Sequence, residues 1–186
     1  MNKLFKTSLI LGRFNHIHNG HIMLIEMSRK ISEKTLILIG SSDKSGTLRN
    51  PYTADLRQSL INKIYANQND VIIEQLDDLT DETDITFEWG RYLLKNAEKI
   101  LGHKPELMIY GKDESRKGWF DSKDVQNISE MVVSRDKIKI SATELRECLI
   151  KNDFEKWSLY VPNEIHEDFN FLRNELLKIE DYKKML

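Results

Sequence analysis

Two hydrophobic periods alternate along this chain. Short, nearly continuous apolar runs recur at residues 7–11 (TSLIL), 35–40 (TLILIG), 71–75 (VIIEQ), 107–110 (LMIY) and 130–133 (EMVV). Runs of this length and apolarity predict strands covered on both faces. Between them the period changes. Residues 18–31 place Ile22, Ile25, Met27 and Ile31 at near-helical spacing, and 53–67 place Leu56, Leu60 and Ile64 on one helical stripe, with Thr53 positioned as N-cap. Residues 84–100 read as a further helix, and helices over 142–151, 153–158 and 169–185 close the chain. Strands alternating with helices predict parallel βαβ crossovers. The expectation is an α/β chain with a doubly wound, five-stranded parallel sheet. It is a single domain over 1–186, with 152–186 as a helical C-terminal extension. The polar stretch 111–127 (GKDESRKGWFDSKDVQN) reads as a long loop or lid.

Composition narrows the class. The chain has 186 residues, 40% of them apolar, enough for a core without disulfides or a structural metal. Its 28 basic and 30 acidic residues leave a net charge of −2, which excludes an overall basic nucleic-acid binder. No basic stripe with interleaved aromatics appears either, so no nucleic-acid partner is expected. A lone cysteine, Cys148, cannot form an internal disulfide and points to a reducing compartment. The apolar N-terminal run is too short for a membrane span and lacks a small-residue cleavage site. A cytoplasmic protein with no membrane partner is expected.

In a doubly wound sheet, ligands bind beyond the carboxyl ends of the strands. The first such segment is Gly12-Arg13-Phe14-Asn15-His16-Ile17-His18-Asn19-Gly20-His21, followed by a helix. Gly12 and Gly20 allow close backbone approach. The helix N-terminus offers N–H groups and partial positive charge. His18 and His21, three apart, face one side of its first turn. Arg13 adds a fork of donors suited to phosphate oxygens. Together these groups suit charge building on a phosphoryl group. Far downstream, Ile140-Ser141-Ala142-Thr143-Glu144-Leu145-Arg146 contains an S-x-x-E capping box (Ser141, Glu144). Thr143 lies in its first turn and Arg146 one turn on, a second helix N-terminus fit for phosphates.

The first segment resembles the (H/T)xGH signature of the nucleotidyltransferase superfamily, and 140–146 resembles its ISSTxxR motif. The middle of the chain, Thr47-Leu48-Arg49-Asn50-Pro51-Tyr52-Thr53-Ala54-Asp55-Leu56-Arg57 after Gly40-Ser41-Ser42, resembles the segment "GSA…(R/N)NPFTAxER" of archaeal-type nicotinamide-mononucleotide adenylyltransferases. Trp89, the stretch Lys112-Asp113-Glu114-Ser115 and the run WSLYVP (157–162) extend the likeness. The resemblance implies a Rossmann-like nucleotidylyl transferase fold and the reaction of ATP with a pyridine mononucleotide, nicotinamide or nicotinate, to give NAD (or its deamido form) and pyrophosphate. It implies His18, His21, Arg13 and Arg146 as catalytic residues. Gly12, Arg13, Phe14, Asn15, His18, Gly20, His21, Gly111, Ser141, Thr143 and Arg146 would surround ATP. Ser41, Arg49, Asn50, Arg57, Asp84 and Trp89 would receive the mononucleotide. Trp89 reads equally as a ring stacked on the pyridinium or as core. Arg49 and Arg57 read as phosphate ligands or subunit contacts, and Arg57 also as a solvated helix residue. Trp119 reads as a partner contact or a cover for adenine. Mg²⁺ is expected to ride on the phosphates and water rather than in a protein cage, and a homo-oligomer is expected.

The chain departs from the family pattern in places. His16 stands where proline is usual, which loosens the turn or adds a phosphate donor. Asn15 replaces a common glutamine, Ala142 replaces serine, and Leu56 replaces glutamate. Two other readings remain. One is a different HxGH enzyme, a pantetheine-phosphate adenylyltransferase or a cytidylyltransferase; RNPYTADLR, Trp89 and the lack of an RTxGISTT-like end argue against it. The other is a nucleotide-binding relative without catalysis.

Overall fold

β1 (Phe5–Gly12) is followed in chain order by α1 (Asn19–Ile31), β2 (Ser32–Ile39), α2 (Ala54–Tyr65), β3 (Val71–Gln75), α3 (Phe87–Leu101), β4 (Leu107–Gly111) and β5 (Ser129–Val133). Then come α4 (Ala142–Ile150), α5 (Phe154–Ser158), a 3-10 helix (Asn163–Asp168), α6 (Phe169–Leu176) and α7 (Glu180–Lys183). This computed structural model describes residues 2–80, 86–111, 118–134 and 140–186. The strands form one parallel sheet in the order β3-β2-β1-β4-β5, the doubly wound α/β architecture that the periodicity predicts.

The chain steps outward from β1 through β2 to β3, then returns past β1 to β4 and β5. Right-handed crossovers therefore put α1 and α2 on one face and α3 on the other. The strand period of two supplies both faces. Ile10, Ile37, Ile39, Leu107 and Ile109 pack with α1, α2 and α4, whereas Leu9, Leu11, Leu36, Leu38 and Met108 pack with Leu93, Leu94 and Ala97 of α3. The reversal leaves a switch point between the carboxyl ends of β1 and β4, where a ligand crevice belongs. A cleft of about 610 Å³ lies at the opposite, amino-terminal edge, lined by Lys6, Lys104, Glu106, Lys123, Asp124 and Ile128.

Among the differences from the sequence reading, β1 runs two residues earlier and one later than 7–11, α3 starts at Phe87 rather than 84, and two others have a physical reason. β2 begins at Ser32 rather than at residue 35, directly after α1, and the Ser32 N–H closes the last helical turn on Ser28. Glu33 and Lys34 are exposed, so the strand's first turn of chain carries no apolar signal. The helix expected over 169–185 is broken into α6 and α7. Leu176 and Tyr182 are both buried, yet positions six apart on a continuous helix point about 120° apart, so the chain must turn to bury both. The C-terminal helices share one core with α2 and α4: Trp157, Ile165, Phe169 and Leu172 join Leu60, Ile61, Leu145 and Leu149. Among the described residues no helix is long and apolar enough to cross a membrane.

Candidate active site

The loop after β1 is shaped by its own side chains. Phe14 is buried and holds a positive φ of 50°, and a Cβ on Gly12 would meet the Phe14 ring at 3.0 Å. Glycine at 12 thus makes room for Phe14. His18 is the N-cap of α1, and its Nδ1 accepts from the Gly20 N–H at 3.1 Å. An accepting Nδ1 leaves the ring proton on Nε2. His21 lies one turn on, its ring 3.9 Å from that of His18 between centroids and 4.8 Å from Phe14. The two imidazoles that the sequence pairs therefore lie ring against ring, inclined by 31°, at one helix N-terminus. Arg13 is exposed at the lip of the loop.

The second motif reaches this loop. Ser141 and Glu144 form the predicted capping box at the start of α4. Arg146 is buried and bridges the motifs: Nη1 donates to the Asn15 carbonyl at 2.6 Å and Nη2 to Thr143 Oγ1 at 3.0 Å. Its Nε, like Asn15 Oδ1, is buried without a hydrogen-bond partner among the described residues. Gly111 ends β4 across the switch point; residues 112–115 lie outside the described residues.

Around the end of β2 the arrangement differs from the sequence reading at one residue. Arg57 is fully buried. Its Nη1 donates to the carbonyls of Arg13 (2.7 Å) and Gly40 (2.8 Å), its Nη2 to Ser41 (2.9 Å) and its Nε to Thr53 (3.3 Å). The guanidinium is turned onto main chain and not onto solvent or an open phosphate site, so it acts here as a clamp on the ends of β1 and β2. Burial, reinforced by Arg13, brings it down to about 10, so it stays charged near neutrality. Ser41 also has a φ of 50°, and its hydroxyl donates to Asp78 at 3.2 Å. Asn50 is buried and accepts from Asn15 Nδ2 at 3.0 Å, joining the two expected substrate segments. Arg49 is exposed beside it. Asp84 lies outside the described residues.

Trp89 sits in the first turn of α3 with 7% of its surface exposed and its ring 4.6 Å from that of Trp119. A Cβ on Gly90 would fall 1.9 Å from the Trp119 carbonyl oxygen. Only glycine lets that segment rest so close to the helix. Arg91 pairs with Asp124 at 2.7 Å and holds the same segment in place.

His16 is neither loose nor a phosphate donor. It is fully buried, its Nδ1 meeting the Ile17 carbonyl at 2.7 Å and its Nε2 accepting from Trp157 Nε1 at 3.0 Å. Burial pushes its pKa down to about 4; the Ile17 carbonyl draws it upward and the Arg146 charge pushes it down. The unfolded chain takes up this proton near 6.5, the folded chain only near 4. Between those values the unfolded state holds more protons, so acid favours unfolding. The contribution of neutral His16 is complete above about pH 7, is lost as pH falls from the first value to the second, and amounts to about 3 kcal/mol. Urea unfolding between pH ~7.5 and ~4.5 is expected to show that loss in the wild type beyond the loss in His16→Leu. Equal pH slopes in the two proteins would refute it.

Among the described residues no group of three or more His, Cys, Asp or Glu side chains is placed to hold a metal ion. Comparison with known proteins gives these features a context. Residues 9–148 match the model of the cytidylyltransferase-like family. The chain is 28% identical to the nicotinamide-nucleotide adenylyltransferase of Thermococcus kodakarensis over 98% of its own length and 89% of that protein. It is 29% identical to the same-named protein of Methanococcus aeolicus over 84% of its length and 83% of that protein. A bifunctional NMN adenylyltransferase/ADP ribose pyrophosphatase from Francisella tularensis, complexed with AMP and a manganese ion, superposes with a TM-score of 0.70 at 22% identity. The match covers 97% of this chain and about half (51%) of that one.

Proposed function

The chain belongs to the cytidylyltransferase-like family, and we propose that within it this protein is a nucleotidyltransferase. It joins ATP to nicotinamide mononucleotide or its nicotinate analogue, giving NAD or the deamido form and pyrophosphate. The observation that carries the reading is the junction of the two phosphate-binding helix ends. The His18–His21 pair at α1 and the capped N-terminus of α4 are tied together by Arg146 on the Asn15 carbonyl. The names of the full-length relatives supply the acceptor class.

An oxygen of the mononucleotide's 5′-phosphate attacks the α-phosphorus of ATP. The new P–O bond forms as the bond to the β-phosphate oxygen breaks, and pyrophosphate leaves. The nucleophile is already an anion, so the protein's work is positioning and charge neutralisation. His18 and His21 donate to the triphosphate as charge builds on the leaving group, Arg13 closes over it, and the α4 N-terminus with Thr143 receives the β- and γ-phosphates. The buried, unpartnered Arg146 Nε and Asn15 Oδ1 fit a site completed by ligand or water, since each unmet group costs about 1–3 kcal/mol. On the acceptor side, Ser41, Asn50 and Arg49 line the approach and Arg57 holds the backbone of Gly40 and Ser41. A pyridinium stacked on Trp89 shares that ring with Trp119. A divalent ion, proposed as Mg²⁺, would supply charge shielding of the phosphates and would be held by substrate oxygens and water rather than by a cage of protein side chains; the manganese in the Francisella protein is of the same hard, oxygen-seeking class. A cytoplasmic homo-oligomer is part of the same proposal.

The test is pyrophosphate release from ATP and Mg²⁺ with nicotinamide mononucleotide, nicotinate mononucleotide, phosphopantetheine or flavin mononucleotide. Turnover is expected with the pyridine mononucleotides alone, their ratio fixing the preferred ring. Turnover with phosphopantetheine would move the chain to a different acceptor class. ATP binding with silence across the panel would make it a nucleotide-binding protein without the reaction.

A further inference from the structure

The nucleotide loop is fastened to a part of the chain well over a hundred residues away. Trp157 Nε1 donates to His16 Nε2 at 3.0 Å, the Asn19 N–H donates to the Tyr160 carbonyl at 2.8 Å, and Asn19 Nδ2 donates to the Leu159 carbonyl at 3.3 Å. Trp157 is itself immobilised. It is fully buried, and its ring lies 5.2 Å from Phe169, 5.9 Å from His166 and 6.2 Å from Phe154 between centroids. His16 spends both ring nitrogens, one on Ile17 and one on Trp157, so the ring cannot turn without stranding buried polar groups. One residue back, Arg146 holds the Asn15 carbonyl. The peptide two residues before His18 is thus located jointly by α4 and α5, both more than a hundred residues further along the chain.

We propose that the His16–Trp157 hydrogen bond is a positioning device for the nucleotide loop, through which the C-terminal helices set the affinity for ATP without touching it. Where the family's usual proline would stiffen the turn from within, this chain stiffens it from outside. The proposal rests on the reading that this loop receives ATP. His16 and Trp157 are positioning residues, and they act through His18 and the α1 N-terminus.

The test uses the full chain in four forms: wild type, Trp157→Phe, His16→Leu and the double variant, with His16→Gln as the conservative replacement that keeps an acceptor. Phenylalanine retains a ring in the aromatic cluster and removes only the donor and part of the area. Hydrogen exchange of the amides of residues 12–21, measured without ligand, is expected to quicken about five- to tenfold in each single variant, the worth of one hydrogen bond. The double variant should show little more, because both changes remove the same bond. His16→Gln should recover much of the protection. With substrates, the ATP constants should weaken by a similar factor while the mononucleotide KM stays within about twofold. Unchanged exchange in Trp157→Phe, multiplicative effects in the double variant, or parallel weakening of both substrates would overturn the proposal and leave Trp157 a packing residue. A wild type that turns over no substrate would sink the adenylyltransferase reading, and the ligand-free exchange result would still decide this one.

Discussion

Replacing His18 with asparagine is expected to lower kcat by about 10²–10³ while leaving stability within about 0.5 kcal/mol of wild type. The side chain has one job in the structure and a second in the proposed reaction. As N-cap, its Nδ1 accepts from the Gly20 N–H, a task asparagine does well. In the proposed reaction the ring, packed against that of His21, offers an imidazole N–H to developing phosphoryl charge, and removal of one such transition-state donor costs about 3–4 kcal/mol. His18→Ala loses both, so it should match the asparagine variant in rate and fall below it by about 1 kcal/mol in stability. Steady-state kinetics and urea unfolding on the pair distinguish the roles. An active His18→Asn would mean that capping is all the residue does.

Arg57→Met should unfold the protein at a temperature lower by about 10 °C. The thioether chain keeps the apolar stem and removes the guanidinium, taking a donor from the carbonyls of Arg13, Gly40 and Ser41, of which Ser41 keeps the Lys44 N–H. At about 1–3 kcal/mol per buried unmet acceptor, the loss is about 3 kcal/mol or more, and each kcal/mol is worth about 2–4 °C in a chain of this size. The clamp sits beside both Phe14 and Ser41, which hold left-handed φ values that cost about 1–3 kcal/mol each unless the surroundings enforce them. Arg57→Lys offers a point charge in place of a planar fork and should recover only part of the loss. A phosphate-binding arginine would behave in the opposite way: a raised mononucleotide KM with an unchanged melting temperature. Differential scanning calorimetry beside the kinetics decides between them.

These two residues mark how far the chain can be read without its fold. The central strands β2, β1 and β4 announce themselves because both their faces are covered, so their apolar runs are nearly unbroken, whereas the edge strands β3 and β5 are partly exposed and carry polar positions. The capping box at Ser141 and the histidine pair at the start of α1 are local, set by neighbours three residues away, and local spacing is visible in a sequence. Arg57 shares the buried face of α2 with Ala54, Leu60 and Ile61, but the carbonyls that receive its guanidinium belong to two strand ends arriving from elsewhere. His16 reads as a loosening change because its partner, Trp157, is 141 residues away. The start of β2 is hidden by exposed Glu33 and Lys34, and the α6–α7 break by a hydrophobic pattern that continues past it. Tyr52 and Tyr182, whose hydroxyls donate to the carbonyls of Leu172 and Leu48, carry no signal of that role in sequence.

The tethering of residues 12–21 to residues 157–160 has a consequence for how the protein is made. A ribosome releases β1 and its loop before α5, and the partners of His16 and Asn19 appear more than a hundred residues later. Synthesis at about 5–20 residues per second separates the two by several seconds at least. For that interval the emerging chain can pair its first strands but cannot set the loop that follows β1. Contacts this distant in sequence are closed late, after shorter-range structure has formed. The loop proposed to recognise ATP is therefore synthesised before the strands beyond β1 and completed after them, so a nascent chain acquires its sheet before it can acquire its substrate.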